Sequence, residues 1–108
     1  MRIISRKRLR DFWEYEAAAE APLRHWYKVT RQARWRTFVE TRQTFGHADQ
    51  IKVNSGNTVT VFNAGGNKYR LITAVHYPKT ARQKEGRVYI LRVLTHAEYD
   101  DATWRLEL

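Results

Sequence analysis

The spacing of apolar residues along the chain changes at about residue 50. Before that point apolar side chains recur every three or four residues, which is the period of an amphipathic helix. After it they alternate with polar ones, which is the period of a strand. The first half therefore predicts a very short strand at Ile3–Ile4 and helices over residues 6–18, 22–34 and 38–44.

Residues suited to helix starts support these bounds. Ser5 is a good N-cap for the first helix, and Pro22 suits the first turn of the second. Thr37 and Glu40 have the spacing of a capping box, which predicts a separate third helix. We expect a break between the second and third helices, because their apolar stripes point in different directions. One straight helix could not turn both stripes toward one core.

The second half predicts strands separated by turns rich in Asn, Gly and Ser. The predicted strands, in chain order, cover residues 51–53, 58–63, 69–77 and 88–94. The last of these is apolar on both sides, which is typical of a central strand.

A short helix is predicted at about residues 96–103, with Thr95 as its N-cap and Glu98 at the capping-box position. Helices followed by an antiparallel meander indicate an α+β domain, with N-terminal helices packed on one face of an antiparallel β-sheet. The 108 residues contain no repeat and no linker, so we expect one domain over residues 1–108.

The chain carries a formal net charge of +9, from 20 Lys and Arg against 11 Asp and Glu. Such an excess repels itself in a compact fold and is typical of proteins with a polyanionic partner, nucleic acid first. A membrane surface is disfavoured because no basic helix has a long apolar face. A basic cluster over residues 6–10 opposes the dipole of the first helix, so it is either an ordinary solvated face or a phosphate-facing patch.

The chain has no cysteine, which fits a reducing compartment. It shows no signal-peptide pattern and no apolar run of membrane-spanning length, so we expect a cytoplasmic protein. Its four histidines lack metal-binding spacing and no Gly-rich phosphate loop opens a helix. Neither a metal nor another cofactor is therefore expected.

A cationic and aromatic set stands in the second half: Lys68, Arg70, Arg92, His96 and Tyr99. Arg70 and Arg92 belong to strands that are expected to be neighbours, and His96 and Tyr99 share one helical turn. Metal-free RNA cleavage requires such a set: a base for the 2′-OH, cations for the phosphorane and an acid for the leaving 5′-oxygen. Arg92, in an otherwise apolar strand, needs a carboxylate or a phosphate partner.

Each of these residues also has a structural interpretation. In this interpretation His96 completes the cap of the last helix, and Tyr99 is a core residue with a satisfied hydroxyl. Arg70 forms a structural ion pair with Glu98 or Asp100. Residue spacing alone favours the structural interpretation over catalysis, with Arg92 as the exception.

Two segments of the chain carry a family resemblance. Residues 61–72 contain F-N-x-x-G-N-x-Y-R, and residues 89–100 contain T-H-x-E-Y-D. In combination they resemble the HigB family of type II toxin–antitoxin toxins. The resemblance implies a RelE-like fold and an mRNA endonuclease, typically ribosome-associated, that halts translation. It also implies a HigA-type antitoxin with a helix-turn-helix domain, through which alone the pair would bind operator DNA.

The resemblance also suggests roles for individual residues. Arg70 matches the arginine expected to hold the scissile phosphate, and Lys68 lies beside it at a variable position. His96 and Tyr99 match positions where related toxins place acid/base or base-stacking groups. Arg92 matches a basic position in the last strand.

Further RNA contacts are expected from Asn67 of the first motif and from Arg82 and Lys84. The latter two belong to the loop of residues 79–86, which is longer and more basic than the family's shortest version. Asp101 stands where the family often has lysine, which removes one possible cation.

Three functional hypotheses follow. The first is an endoribonuclease toxin that cleaves mRNA without a metal. The second is a non-catalytic basic module that binds RNA or DNA through phosphate contacts and base stacking. The third is a structural subunit whose basic face meets an acidic protein. RNA cleavage would distinguish the toxin from the non-catalytic binding module. RNA binding would distinguish the binding module from the structural subunit.

Overall fold

The computed structural model describes residues 1–108, and its elements follow the two patterns of the sequence. In chain order they are β1 (Arg2–Ile4), α1 (Arg6–Tyr15), a 3-10 turn (Ala17–Ala19), α2 (Glu20–Gln32), α3 (Phe38–Thr44), β2 (Asp49–Lys52), β3 (Thr58–Ala64), β4 (Tyr69–His76), β5 (Arg87–Thr95), α4 (His96–Asp101) and α5 (Thr103–Glu107). No helix is both long enough and apolar enough to cross a lipid bilayer.

The strands form one sheet in the order β1-β5-β4-β3-β2. The α+β prediction is confirmed, and β2 to β5 form the expected antiparallel meander. The sheet is mixed rather than purely antiparallel, because β1 pairs parallel to β5. Parallel neighbours need a long crossover connection, and the helical half of the chain supplies it.

The prediction that the last strand is central is correct only for its beginning. Its pairs with β1 run from Arg2↔Arg87 to Ile4↔Tyr89. Beyond Tyr89 one side of β5 has no partner strand, because β1 is only three residues long.

Phe62 of β3 lies at the centre of the core between the sheet and the N-terminal helices, with no solvent exposure. The rings of Trp26, Trp35 and Phe45 surround it at centroid distances of 5.4, 6.0 and 5.4 Å. Aromatic rings bury large areas and pack in preferred geometries. This cluster holds α2, α3 and the segment between them against one face of the sheet.

The opposite face of the sheet is also covered, which corrects the expectation of helices on one face only. Trp104 of α5 packs there with Val53, Val59, Val61 and Ile72. The predicted single helix over residues 96–103 is interrupted where the backbone adopts the left-handed conformation (φ 63) at residue 102. The break redirects the chain so that the tryptophan reaches the sheet.

The helix starts were predicted with mixed success. Thr37 caps α3 by accepting from the backbone N–H of Glu40, as expected. Ser5 stands at the N-cap position of α1 as predicted, but its side chain makes no capping hydrogen bond and its φ is 74. A left-handed residue turns the chain sharply from β1 into α1, and the usual cap geometry requires an extended backbone instead.

Gly86 provides a test of the packing where β1, β4 and β5 meet. A Cβ atom there would collide with the carbonyl oxygen of His76 and approach the methyl group of Met1. We expect Gly86→Ala to destabilise the fold by about 1–3 kcal/mol in urea unfolding. The control is Gly46→Ala, whose Cβ would lie 4.0 Å from its nearest neighbour, and which should unfold at or slightly above the wild-type midpoint. Equal midpoints for wild type and Gly86→Ala would contradict the described packing.

Candidate active site

The pairing of β4 with β5 brings the two sequence motifs together at one end of the sheet. Tyr69 of β4 pairs with Thr95 of β5. Arg70 follows Tyr69 and His96 follows Thr95, so in this antiparallel pair both are next to the paired residues, on opposite sides. The backbone N–H of His96 donates to the carbonyl oxygen of Lys68 at 2.8 Å. This bond joins the start of α4 to the turn that precedes β4.

The predicted capping box at the start of α4 is confirmed. Thr95 Oγ1 accepts from the backbone N–H of Glu98 at 3.2 Å, and Glu98 Oε1 accepts from the backbone N–H of Thr95 at 2.9 Å. The cap is therefore complete without His96, whose ring is free for other contacts. It also places Tyr99 one helical turn after the histidine.

The imidazole of His96 lies between Arg70 and Asp100. Arg70 Nη2 is 3.2 Å from His96 Nδ1, and His96 Nε2 is 3.1 Å from Asp100 Oδ2. A guanidinium can only donate, so Nδ1 accepts, and the ring proton sits on Nε2 and points at the carboxylate. The ion pair of Arg70 with Glu98 or Asp100 does not form, because Glu98 completes the cap and Asp100 bonds His96.

Arg70 is held by uncharged groups. Its Nη1 donates to the carbonyl oxygen of Asn67, and its guanidinium carbon lies 5.2 Å from the centroid of the Tyr99 ring. Cation–π contacts and carbonyl acceptors orient a guanidinium without neutralising it. Its positive charge therefore remains available to an anion at the rim of the sheet.

Tyr99 is itself fixed from behind. Its ring stacks on Trp104 with a centroid distance of 5.4 Å and an interplanar angle of 19°. Trp104 Nε1 donates to the carbonyl oxygen of Tyr99 at 3.1 Å. Because Trp104 is anchored in the core below the sheet, Tyr99 is a rigid support for the arginine.

Arg92 is on the strand next to Arg70, as predicted, and pairs with Ile72 in the register. It is half-buried and forms no salt bridge, and it donates to the carbonyl oxygen of Leu91 at 2.8 Å. It also lines a groove with four residues of α1: Arg8, Asp11, Phe12 and Tyr15. Arg92 thus flanks the candidate site without contacting the cluster around Arg70.

The remaining predicted RNA-binding residues divide into two groups. Asn67 and Lys68 are exposed in the turn before β4, beside Arg70. Arg82 and Lys84 lie in the loop that joins β4 to β5 at the other end of these strands. The eight residues of β4 separate the two groups by roughly 25 Å at about 3.3 Å per residue.

Two contacts of the cluster were not predicted from the sequence. Asp100 was expected only as a partner of Arg70, but it contacts His96, four positions earlier, a spacing that brings side chains together on a helix and that offered a usable signal. Trp104 offered none, because its position depends on the left-handed residue between α4 and α5.

The five-stranded sheet with N-terminal helices on one face is consistent with a RelE-like fold. The family model described as HigB toxin, the RelE-like toxic component of a toxin–antitoxin system, matches residues 19–102. The chain belongs to this family, which confirms the resemblance of its two motifs and implies an antitoxin partner. No curated protein matches the chain.

The stack beneath Arg70 can be tested through Trp104. Trp104→Ala removes a side chain that is 3% exposed and should lower the free energy of unfolding by about 3–5 kcal/mol. Leu106→Ala on the same helix is the control, because Leu106 is 70% exposed and its loss should change stability little. Urea unfolding of both variants checks this, and similar losses from the two would rule out a special role for the buried indole.

Proposed function

We propose that this HigB-family toxin is a metal-independent endoribonuclease that cleaves mRNA on the ribosome and thereby inhibits translation. The observation that carries the proposal is the state of Arg70. Its guanidinium contacts an imidazole and an aromatic ring and has no carboxylate partner. A phosphate group of RNA is the ligand that such a group binds best, through two parallel hydrogen bonds.

The chemistry available to this cluster is cleavage by the neighbouring 2′-OH. The 2′-oxygen loses a proton and attacks phosphorus, the bond to the 5′-oxygen breaks, and that oxygen gains a proton. Arg70 would stabilise the charge that develops on the phosphorane oxygens. His96 is suited to proton transfer, since its ring nitrogens can both accept and donate a proton and contact Arg70 and Asp100.

We assign Tyr99 the role of a positioning residue that keeps Arg70 at the rim. Arg92 and Lys68 would add positive potential beside the site, and the net charge of +9 would draw the protein to RNA. Arg82 and Lys84 would then contact a separate stretch of RNA, because they lie at the other end of β4 and β5.

We further propose that the antitoxin partner is of the HigA type and carries the helix-turn-helix domain. The toxin would reach operator DNA only as part of this complex. An antitoxin that covers a basic surface would also lower the self-repulsion of the toxin.

Induction in cells provides the test of the function. Wild-type toxin should arrest growth and produce new mRNA ends, and Arg70→Ala and His96→Ala should each reduce cleavage by about 100-fold or more. Arg70→Lys should also be impaired, because a lysine keeps the charge and loses the planar fork. The control Arg31→Gln removes an exposed charge of α2 outside the site and should leave toxicity unchanged.

A different outcome would favour the alternative hypothesis. Salt-sensitive RNA binding by wild-type protein, without new RNA ends in the presence of ribosomes, would indicate a non-catalytic RNA- or DNA-binding module.

A further inference from the structure

A groove runs between α1 and the side of β5 that has no partner strand. Four side chains of α1 line it from one helix face, at positions i, i+3, i+4 and i+7: Arg8, Asp11, Phe12 and Tyr15. Arg92 and Val93 line its other side, on the part of β5 that lies beyond the end of β1. The groove is therefore a consequence of the short first strand.

The strand register places this groove beside Arg70. Arg92 pairs with Ile72, and Leu94 pairs with Arg70. The two arginines are therefore diagonal neighbours on adjacent strands, and their side chains leave the same face of the sheet. Diagonal neighbours are about 7–8 Å apart, within reach of long side chains. A ligand bound at Arg70 can thus continue into the groove.

The groove has positive charge that no carboxylate neutralises. Neither Arg8 nor Arg92 forms a salt bridge, and Asp11 is paired with Lys7 at 2.9 Å. Arg92 Nη1 donates to the carbonyl oxygen of Leu91, which leaves its other guanidinium N–H groups for a ligand. Guanidinium groups in this state bind phosphates well.

The groove also presents an exposed aromatic ring. Tyr15 is 88% exposed, and it is the one aromatic residue among the strongly exposed large apolar side chains of the chain. Phe12, one helical turn earlier, is half-buried, and its ring meets that of Tyr69 edge to face at a centroid distance of 5.6 Å. Tyr15 is thus carried by a helix that is fixed to the residue before Arg70. Its free ring face is a platform on which a nucleobase can stack.

These features favour RNA over an added peptide strand at the open edge of β5. A peptide strand would bind through main-chain hydrogen bonds, which use neither the tyrosine ring nor the guanidinium groups. Single-stranded RNA is bound by the combination present here, a cationic groove with an aromatic ring. Continuity with Arg70 also favours the substrate of that site.

We propose that this groove holds the RNA strand next to the cleaved bond, an inference that rests on the proposed ribonuclease function. Arg70 binds the scissile phosphate, and Arg92 binds the phosphate beside it. Tyr15 stacks on a base of the same stretch, and Arg8 binds a further phosphate. Tyr15 and Arg8 are therefore substrate-binding residues, and the chemical step does not use them.

The basic cluster at residues 6–10 is divided between two sides of α1. Arg8 faces the groove, whereas Arg10 lines a separate cavity with Trp13 of α1 and Arg24 of α2. Both arginines are exposed and lie on the same helix. Arg10→Gln is therefore the matched control for Arg8→Gln.

Stacking can be measured without cleavage. A single-stranded RNA with 2′-O-methyl groups has no 2′-OH to attack phosphorus, and 2-aminopurine placed at each position in turn loses fluorescence where it stacks. Wild-type protein should quench a position beside the cleavage site. Tyr15→Ala should lose this quenching and bind about tenfold more weakly, whereas Tyr15→Phe should keep both. Thermal unfolding of Tyr15→Ala should be unchanged, because the side chain is exposed.

The charged side of the groove has its own readout. Arg8→Gln should weaken RNA binding and reduce its salt dependence, and Arg10→Gln should change neither. In mRNA cleavage on ribosomes, Tyr15→Ala and Arg8→Gln should raise KM and keep the wild-type kcat, because they remove binding that is equal in the ground state and the transition state.

The outcomes distinguish the two proposals. If wild type cleaves, and Tyr15→Ala and Arg8→Gln keep its quenching and its KM, the groove assignment is wrong while the ribonuclease function stands. The assignment is also wrong if both variants bind RNA normally but bind the antitoxin more weakly, since the groove would then be a peptide site. If wild type shows the quenching but does not cleave RNA on ribosomes, the proposed function fails and the groove stands as an RNA-binding site.

Discussion

The antiparallel pairing of β4 with β5 is the constraint on which the rest of the site depends. Arg70 and His96 are separated by 26 residues, and the pair Tyr69↔Thr95 makes them neighbours. The capping box then sets the direction of α4. The hydrogen bond from the His96 N–H to the carbonyl oxygen of Lys68 joins the start of α4 to the turn before β4. A shift of one residue in this register would put Arg70 on the opposite face of the sheet from His96 and Tyr99 and remove its contacts with both.

The central feature of the cluster is an arginine that has contacts but no neutralising partner. An ion pair would occupy the groups that a phosphate must reach, whereas a ring and a carbonyl orient the guanidinium and leave its charge uncompensated. The same preference appears in the whole chain, whose 20 basic residues outnumber the acidic ones. Such an excess of positive charge repels itself in a compact fold.

Rigid support for the cluster comes from both faces of the sheet. On one face the rings around Phe62 attach the helices to the sheet. On the other face Trp104 supports Tyr99. Proton transfer and phosphate binding need groups held within fractions of an ångström, and sites built on packed elements achieve this better than sites on free loops.

The sequence by itself determined the elements and the family. Helix and strand periods, the bounds of α3 and the capping box at Thr95 depend on residues a few positions apart, and two short motifs indicated the toxin family. Only the tertiary structure decided the parallel position of β1, the break between α4 and α5, and the contacts of Arg70 with His96 and Tyr99. Periodicity and capping are local interactions, but strand register and side-chain contacts join residues far apart in the chain, and their outcome depends on how the whole core packs.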